Sequence, residues 1–159
     1  MKNEIQLRTM VNGIEYDLMI PARLLASDFL RDYLDLTGTH VGCEHGICGS
    51  CTIKIDGLTA RSCLKFAIQL NGKKVETIES FQKNKETKKI IETFKENHSL
   101  QCGFCTPGFL MVIDELLKNK IKYSDTEIKE ALSGNLCRCT GYENIFKAAK
   151  QVLGSKRVK

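Results

Sequence analysis

The chain has 159 residues, 42% of them hydrophobic and 27% charged, with a formal net charge of +5. That length suits one compact unit or two very small domains, and a unit under about 80 residues usually needs a metal or disulfide staple. No apolar stretch approaches the ~20 residues that cross a bilayer, and Met1-Lys2-Asn3-Glu4-Ile5 lacks a signal peptide's apolar run, so a cytoplasmic protein without a membrane span is expected.

In chain order, Ile5 to Val11 and Ile14 to Ile20 flank Asn12-Gly13, the signature of a tight hairpin. Leu25, Phe29, Leu30, Tyr33 and Leu34 mark one face of a helix from Leu25 to Leu36, ended by Gly38. After a glycine-rich cysteine segment, Thr52 to Ile55, Asp56-Gly57 and Leu58 to Ser62 predict a second hairpin. Asn71-Gly72 and a strand from Val75 to Ile78 close this half.

The hydrophobic period then changes. Ile90, Ile91 and Phe94 share a helix face. Pro107 suits the first turn of a helix whose inner face carries Phe109, Val112, Ile113, Leu116 and Leu117. Ser124-Asp125-Thr126-Glu127 is a capping box ahead of Ile128, Ala131 and Leu132. Ile145, Phe146, Ala149, Val152 and Leu153 line a last helix. The fold class read from this is α+β, with strands around one helix, a junction near Glu79-Ser80, and then a small helical bundle. No repeat relates the halves, yet each holds four of the eight cysteines.

In a reducing compartment these cysteines are metal ligands rather than disulfides. Between Cys43, Cys48, Cys51 and Cys63 lie four, two and eleven residues, the plant-type [2Fe-2S] ferredoxin spacing. Gly42, Gly46 and Gly49 can take positive φ and let backbone N–H groups aim at sulfur. Zinc prefers paired Cys-x-x-Cys knuckles or histidine partners and fits this loop poorly. A Rieske centre needs a second histidine besides His45, so His45 reads as a loop residue beside the site, and His40 and His98 as structural. Cys102, Cys105, Cys137 and Cys139 form two close pairs, 31 residues apart, each at a helix junction. Their spacing alone leaves zinc and iron–sulfur open.

The basic residues do not point to nucleic acid. Lys83, Lys85, Lys88 and Lys89, then Lys118, Lys120 and Lys122, then Lys156, Arg157 and Lys159 are dispersed, with no alternating aromatics, and read as solvated helix faces and a tail. Eight ligating thiolates (roughly −8) and two oxidised Fe2S2 cores (roughly +4) would bring the net charge near +1.

Three segments carry a resemblance. Gly42-Cys43-Glu44-His45-Gly46-Ile47-Cys48-Gly49-Ser50-Cys51-Thr52, Gln101-Cys102-Gly103-Phe104-Cys105-Thr106-Pro107-Gly108 and Gly134-Asn135-Leu136-Cys137-Arg138-Cys139-Thr140-Gly141-Tyr142 resemble the iron–sulfur subunit of molybdenum hydroxylases, the xanthine dehydrogenase, aldehyde oxidoreductase and carbon monoxide dehydrogenase family. The resemblance runs from about Ile5 to about Leu153 and is only in outline over the N-terminal strands and Ser80 to Asn97. It implies a β-grasp ferredoxin-like domain over residues 1–79 and a four-helix [2Fe-2S] domain over 80–159. It implies one cluster on Cys43, Cys48, Cys51 and Cys63 and another on Cys102, Cys105, Cys137 and Cys139. Gln101 and Cys139 are implied as contacts to the molybdopterin of a large subunit, the alternative for Gln101 being a cap of the Cys102 loop.

The expected function is therefore the electron-transfer subunit of a heteromeric molybdenum hydroxylase, with no substrate chemistry of its own. Electrons would pass singly from molybdopterin through both clusters to FAD on a medium subunit, in a dimer of heterotrimers. The rival readings are a free two-cluster ferredoxin, a zinc-stapled interaction module, and the same subunit in a reductase acting on aromatic thioesters.

Overall fold

Asn12 and Gly13, both at positive φ (52° and 84°), form the tight turn that folds β1 (Glu4–Val11) back on β2 (Ile14–Pro21). Asp56 and Gly57 (51° and 88°) do the same between β3 (Thr52–Ile55) and β4 (Leu58–Arg61). With β5 (Lys74–Glu76) they make a five-stranded sheet in the order β2-β1-β5-β3-β4, in which only β1 and β5 run parallel. The structure, a computed structural model, describes residues 3–154; the Lys156, Arg157 and Lys159 tail lies outside them.

The predicted first helix is real but shorter and wider. A single turn, α1 (Ala26–Asp28), runs into a π-helical turn, Phe29–Tyr33. Phe29 and Leu30 are fully buried against Leu7, Ile20, Ile53, Leu70 and Val75, while Tyr33 is exposed. The helix ends at Asp35, whose φ is +54°, and not at Gly38. Gly38 is needed for space instead: a Cβ there would lie 2.4 Å from Ile78 Cγ2. The strand expected from Val75 to Ile78 stops at Glu76, and Ile78–Lys83 forms a 3-10 helix that buries Phe81 in the second core.

That core is built by α2 (Lys85–Glu96), α3 (Thr106–Lys118), α4 (Asp125–Leu132) and α5 (Glu143–Leu153). Pro107 sits in the first turn of α3, and Ser124 and Glu127 close the predicted capping box. Ile90, Phe94, Phe109, Ile113, Ile128 and Ile145 are each at most 1% exposed. The one-sided inner face expected for α3 is wrong between Gly108 and Asp114, where every residue is buried. One side of the helix faces the bundle, and the other packs on β3 of the sheet.

The chemistry of that second contact is ionic. Lys54 on β3 and Asp114 on α3 are fully buried and paired. Glu76 on β5 also pairs with Lys54, and Lys118 reaches Asp114 (3.1 Å) and Glu76 (3.5 Å). Burial pushes the Glu76 carboxyl up, but the hydrogen bond and charge from Lys54 outweigh it and hold it below the usual range. Removing one partner of a buried pair costs up to about 3–5 kcal/mol, less where a second partner remains, as Glu76 does for Lys54 and Lys118 for Asp114, whereas a matched apolar pair is close to neutral. Lys54→Met alone and Asp114→Leu alone should each lower the denaturation midpoint by that order, and the double variant should recover most of the loss. Additive losses in the double variant would disprove coupling across this contact.

Candidate functional site

The segment 42–51 wraps the first set of thiols. Gly46 and Gly49 take φ of 83° and 77°, as expected, and Glu44 joins them at 57°. Gly42 does not take positive φ; its lack of a side chain leaves room, since a Cβ would lie 3.2 Å from Cys48 Sγ and 3.3 Å from Phe104 Cε1. The Cys48 N–H points at Cys43 Sγ (3.4 Å), and the Cys43 and Cys48 thiols interact. Cys51 and Cys63, both buried, bring their sulfurs to 3.3 Å. The β3–β4 hairpin makes this approach: Ser62 donates to the Cys51 carbonyl from its N–H (3.2 Å) and its hydroxyl (2.8 Å).

The second set pairs as well. Cys105 stands at the N-terminus of α3, and Cys137 follows α4; both are buried and their thiols interact. Cys102 and Cys139 are exposed, with sulfurs 3.5 Å apart. The Thr140 hydroxyl and N–H both donate to Cys137 Sγ (3.0 and 3.4 Å), and Cys137 N–H donates to the Tyr142 hydroxyl (2.9 Å). The structure brings the four cysteines of each predicted set near one another, with sulfurs in contact at Cys51–Cys63 and at Cys102–Cys139. Among the described residues, no three Cys, His, Asp or Glu side chains are placed to hold a single metal ion. Gln101 is exposed beside Cys102, and its side chain makes no hydrogen bond among the described residues.

The electrostatics separate the thiols. The Cys48 N–H, then the His45 backbone, lower Cys43 to about 6. Burial, then neighbouring Cys51, raise Cys63 to about 11, and burial, then Cys137, raise Cys105 to about 12. Burial pushes Cys137 up too, but the Thr140 donors outweigh it and hold the thiol low. Donors aimed at sulfur favour the ligating thiolate over the thiol.

The two loops touch. Leu136 N–H donates to the Cys48 carbonyl at 2.8 Å, so one hydrogen bond links the backbone of Cys48 to the residue that precedes Cys137 in the other set. Asn135 donates to the Gly49 carbonyl (3.3 Å). This approach requires bare backbone: a Cβ on Gly108 would meet the Gly49 carbonyl at 2.3 Å, and one on Gly49 would meet the Gly134 carbonyl at 2.5 Å. His40 completes the junction; its ring stacks on Phe104 (4.7 Å between centroids) and its Nδ1 lies 2.7 Å from the Phe104 carbonyl. Sequence reading gave His40 as structural and Asn135 as part of a motif without their partners, because no local spacing signals a contact between residues some 60 to 90 positions apart.

These thiol sets on a mixed α+β fold define an iron–sulfur protein class, and comparison with known proteins agrees. Residues 39–99 match the family described as a 2Fe-2S iron-sulfur cluster binding domain, and residues 77–150 match that described as a [2Fe-2S] binding domain. The chain is 52% identical over 145 residues to caffeine dehydrogenase subunit gamma of Pseudomonas sp. (strain CBB1), covering 89% of this chain and 87% of that one. It is 36% identical to the xanthine dehydrogenase iron-sulfur-binding subunit of Escherichia coli O157:H7, with 89% of each covered. The crystal structure of quinoline 2-oxidoreductase from Pseudomonas putida 86 superposes with a TM-score of 0.87 at 41% identity, covering 92% of this chain and 91% of that one. The chain belongs to the iron–sulfur small subunits of the molybdenum hydroxylase family, and is a subunit of an oxidoreductase.

Two outcomes test this geometry. In cluster-free protein near pH 7, iodoacetamide should modify Cys43 first and Cys105 and Cys63 last, since only the thiolate reacts; uniform labelling by peptide mass spectrometry would contradict it. Gly108→Ala should destabilise the protein by about 1–3 kcal/mol through overpacking, whereas Gly103→Ala, with no atom within 4 Å of its Cβ but a φ of 82°, should cost only its backbone strain.

Proposed function

We propose that this chain is the electron relay of a heteromeric molybdenum hydroxylase. Cys43, Cys48, Cys51 and Cys63 hold one [2Fe-2S] cluster within a β-grasp domain over residues 1–79, and Cys102, Cys105, Cys137 and Cys139 hold the other within a four-helix domain over 80–159. When bound, the clusters supply one-electron carriers between molybdopterin on a large subunit and FAD on a medium subunit. The observation that carries this reading is the pairing of sulfurs in each set. A two-iron core takes two thiolates per iron, whereas a single tetrahedral zinc spaces four thiolates evenly.

The chain's own residues fit the task. Cys48 N–H and Thr140 turn donors toward ligand sulfurs. The Leu136–Cys48 hydrogen bond gives a short through-bond path between the sets. Exposed Leu100, Phe104, Leu136 and Tyr142 surround Cys102 and Cys139, a surface suited to the large subunit, where exposed Gln101 and Cys139 are the candidate pterin contacts. At the other set, Ile47, Leu64 and Phe66 are exposed and suit the flavin subunit. A cytoplasmic complex of two heterotrimers is part of this reading; among the described residues no helix is long and apolar enough to cross a membrane.

Natively purified complex should contain roughly four irons and four sulfides per copy of this chain and give two S = 1/2 EPR signals on reduction. Cys43→Ser should abolish one signal and stop electron delivery to the acceptor. Zinc without sulfide, or undiminished turnover in that variant, would overturn the relay.

A further inference from the structure

Arg61 lies at the end of β4, two residues before Cys63. Its guanidinium donates to the Thr52 hydroxyl, beside Cys51, and through Nη2 to the Gly134 carbonyl at 2.5 Å, with Asn135 Oδ1 at 3.5 Å. One cation therefore touches the hairpin that brings Cys51 and Cys63 together and the loop that leads into Cys137. Gly134 is bare where the guanidinium docks, since a Cβ there would lie 2.8 Å from Nη2.

The partners matter as much as the position. Lys54, the other cation under this junction, is offset by Asp114 and Glu76. Among the described residues, the Arg61 guanidinium bonds to a hydroxyl, a carbonyl and an amide oxygen, all neutral. The nearby Glu115 carboxylate is engaged by the Thr59 N–H (2.7 Å) instead. A guanidinium is a permanent cation, and among the described residues that of Arg61 makes no ion pair.

We propose that Arg61 is a positioning residue of the relay: it clamps the two ligand loops together, and its fixed charge stabilises the reduced form of both clusters. This rests on the two-cluster reading. Each cluster becomes more negative by one electron when reduced, and a fixed cation beside the ligand loops favours that state through charge and hydrogen bonding. Because the same group touches both loops, both potentials respond together.

The test is a potentiometric titration of the natively purified complex, followed by EPR, for wild type, Arg61→Gln and Arg61→Lys. Arg61→Gln, which removes the charge, should keep iron content and both signals while both midpoints move to lower potential. Arg61→Lys keeps the charge but not the forked clamp, so its midpoints should stay near wild type. Unchanged midpoints in Arg61→Gln would overturn the proposal. A fall of both midpoints below wild type in Arg61→Lys would also overturn it, and that comparison holds even if Arg61→Gln does not assemble. Absence of two signals in the wild type would instead refute the two-cluster reading.

Discussion

The buried pairing of Lys54 with Asp114 constrains how the sheet and the helical bundle meet. A lysine with no exposed surface needs carboxylates to offset it; Asp114, from the other half, supplies the buried one, and Glu76 on β5 supplies a partly exposed one. Asp114 stands nine residues after Cys105, about two and a half helical turns, and Lys54 three residues after Cys51. Docking α3 on β3 to satisfy this charge therefore carries the two ligand loops toward each other. Gly49 and Gly108 then let the backbones approach closely enough for the Leu136–Cys48 hydrogen bond. A contact made by neutral hydrophobic groups would tolerate sliding; a buried ion pair with few alternatives favours one register.

Around this junction the environments of the thiols diverge for physical reasons. Cys63 and Cys105 lie where burial dominates, and Cys43 and Cys137 lie where backbone or hydroxyl donors converge on sulfur. Each set thus contains one thiol whose surroundings favour the thiolate and one whose burial disfavours it. Metal binding and folding are coupled in such an arrangement, since the buried thiols are poor anions without the ion. Cys102 and Cys139 are exposed, as are Ile47, Leu64 and Phe66, which stand close in sequence to ligand candidates of the other set.

Local physics made most of the elements legible. The Asn12-Gly13 and Asp56-Gly57 turns, the Ser124 capping box and the Pro107 start of α3 appear where the residues call for them. The errors share a cause. The π-helical turn at Phe29–Tyr33 and the space required at Gly38 and Gly42 are imposed by neighbours distant in sequence. The all-round burial of α3 between Gly108 and Asp114 arises because that helix serves two cores, which a single-helix pattern does not reveal.

The sequence by itself determined the eight ligand candidates, the two sets of four and the family, because thiol spacing and glycine-rich loops are local features with few alternatives. Only the tertiary structure decided which thiols face each other, which donors reach their sulfurs, and that Lys54, Asp114, Arg61, His40 and Asn135 knit the two sets together. Those contacts join residues from different elements, and their energies depend on burial and distance, which exist only once the chain has folded.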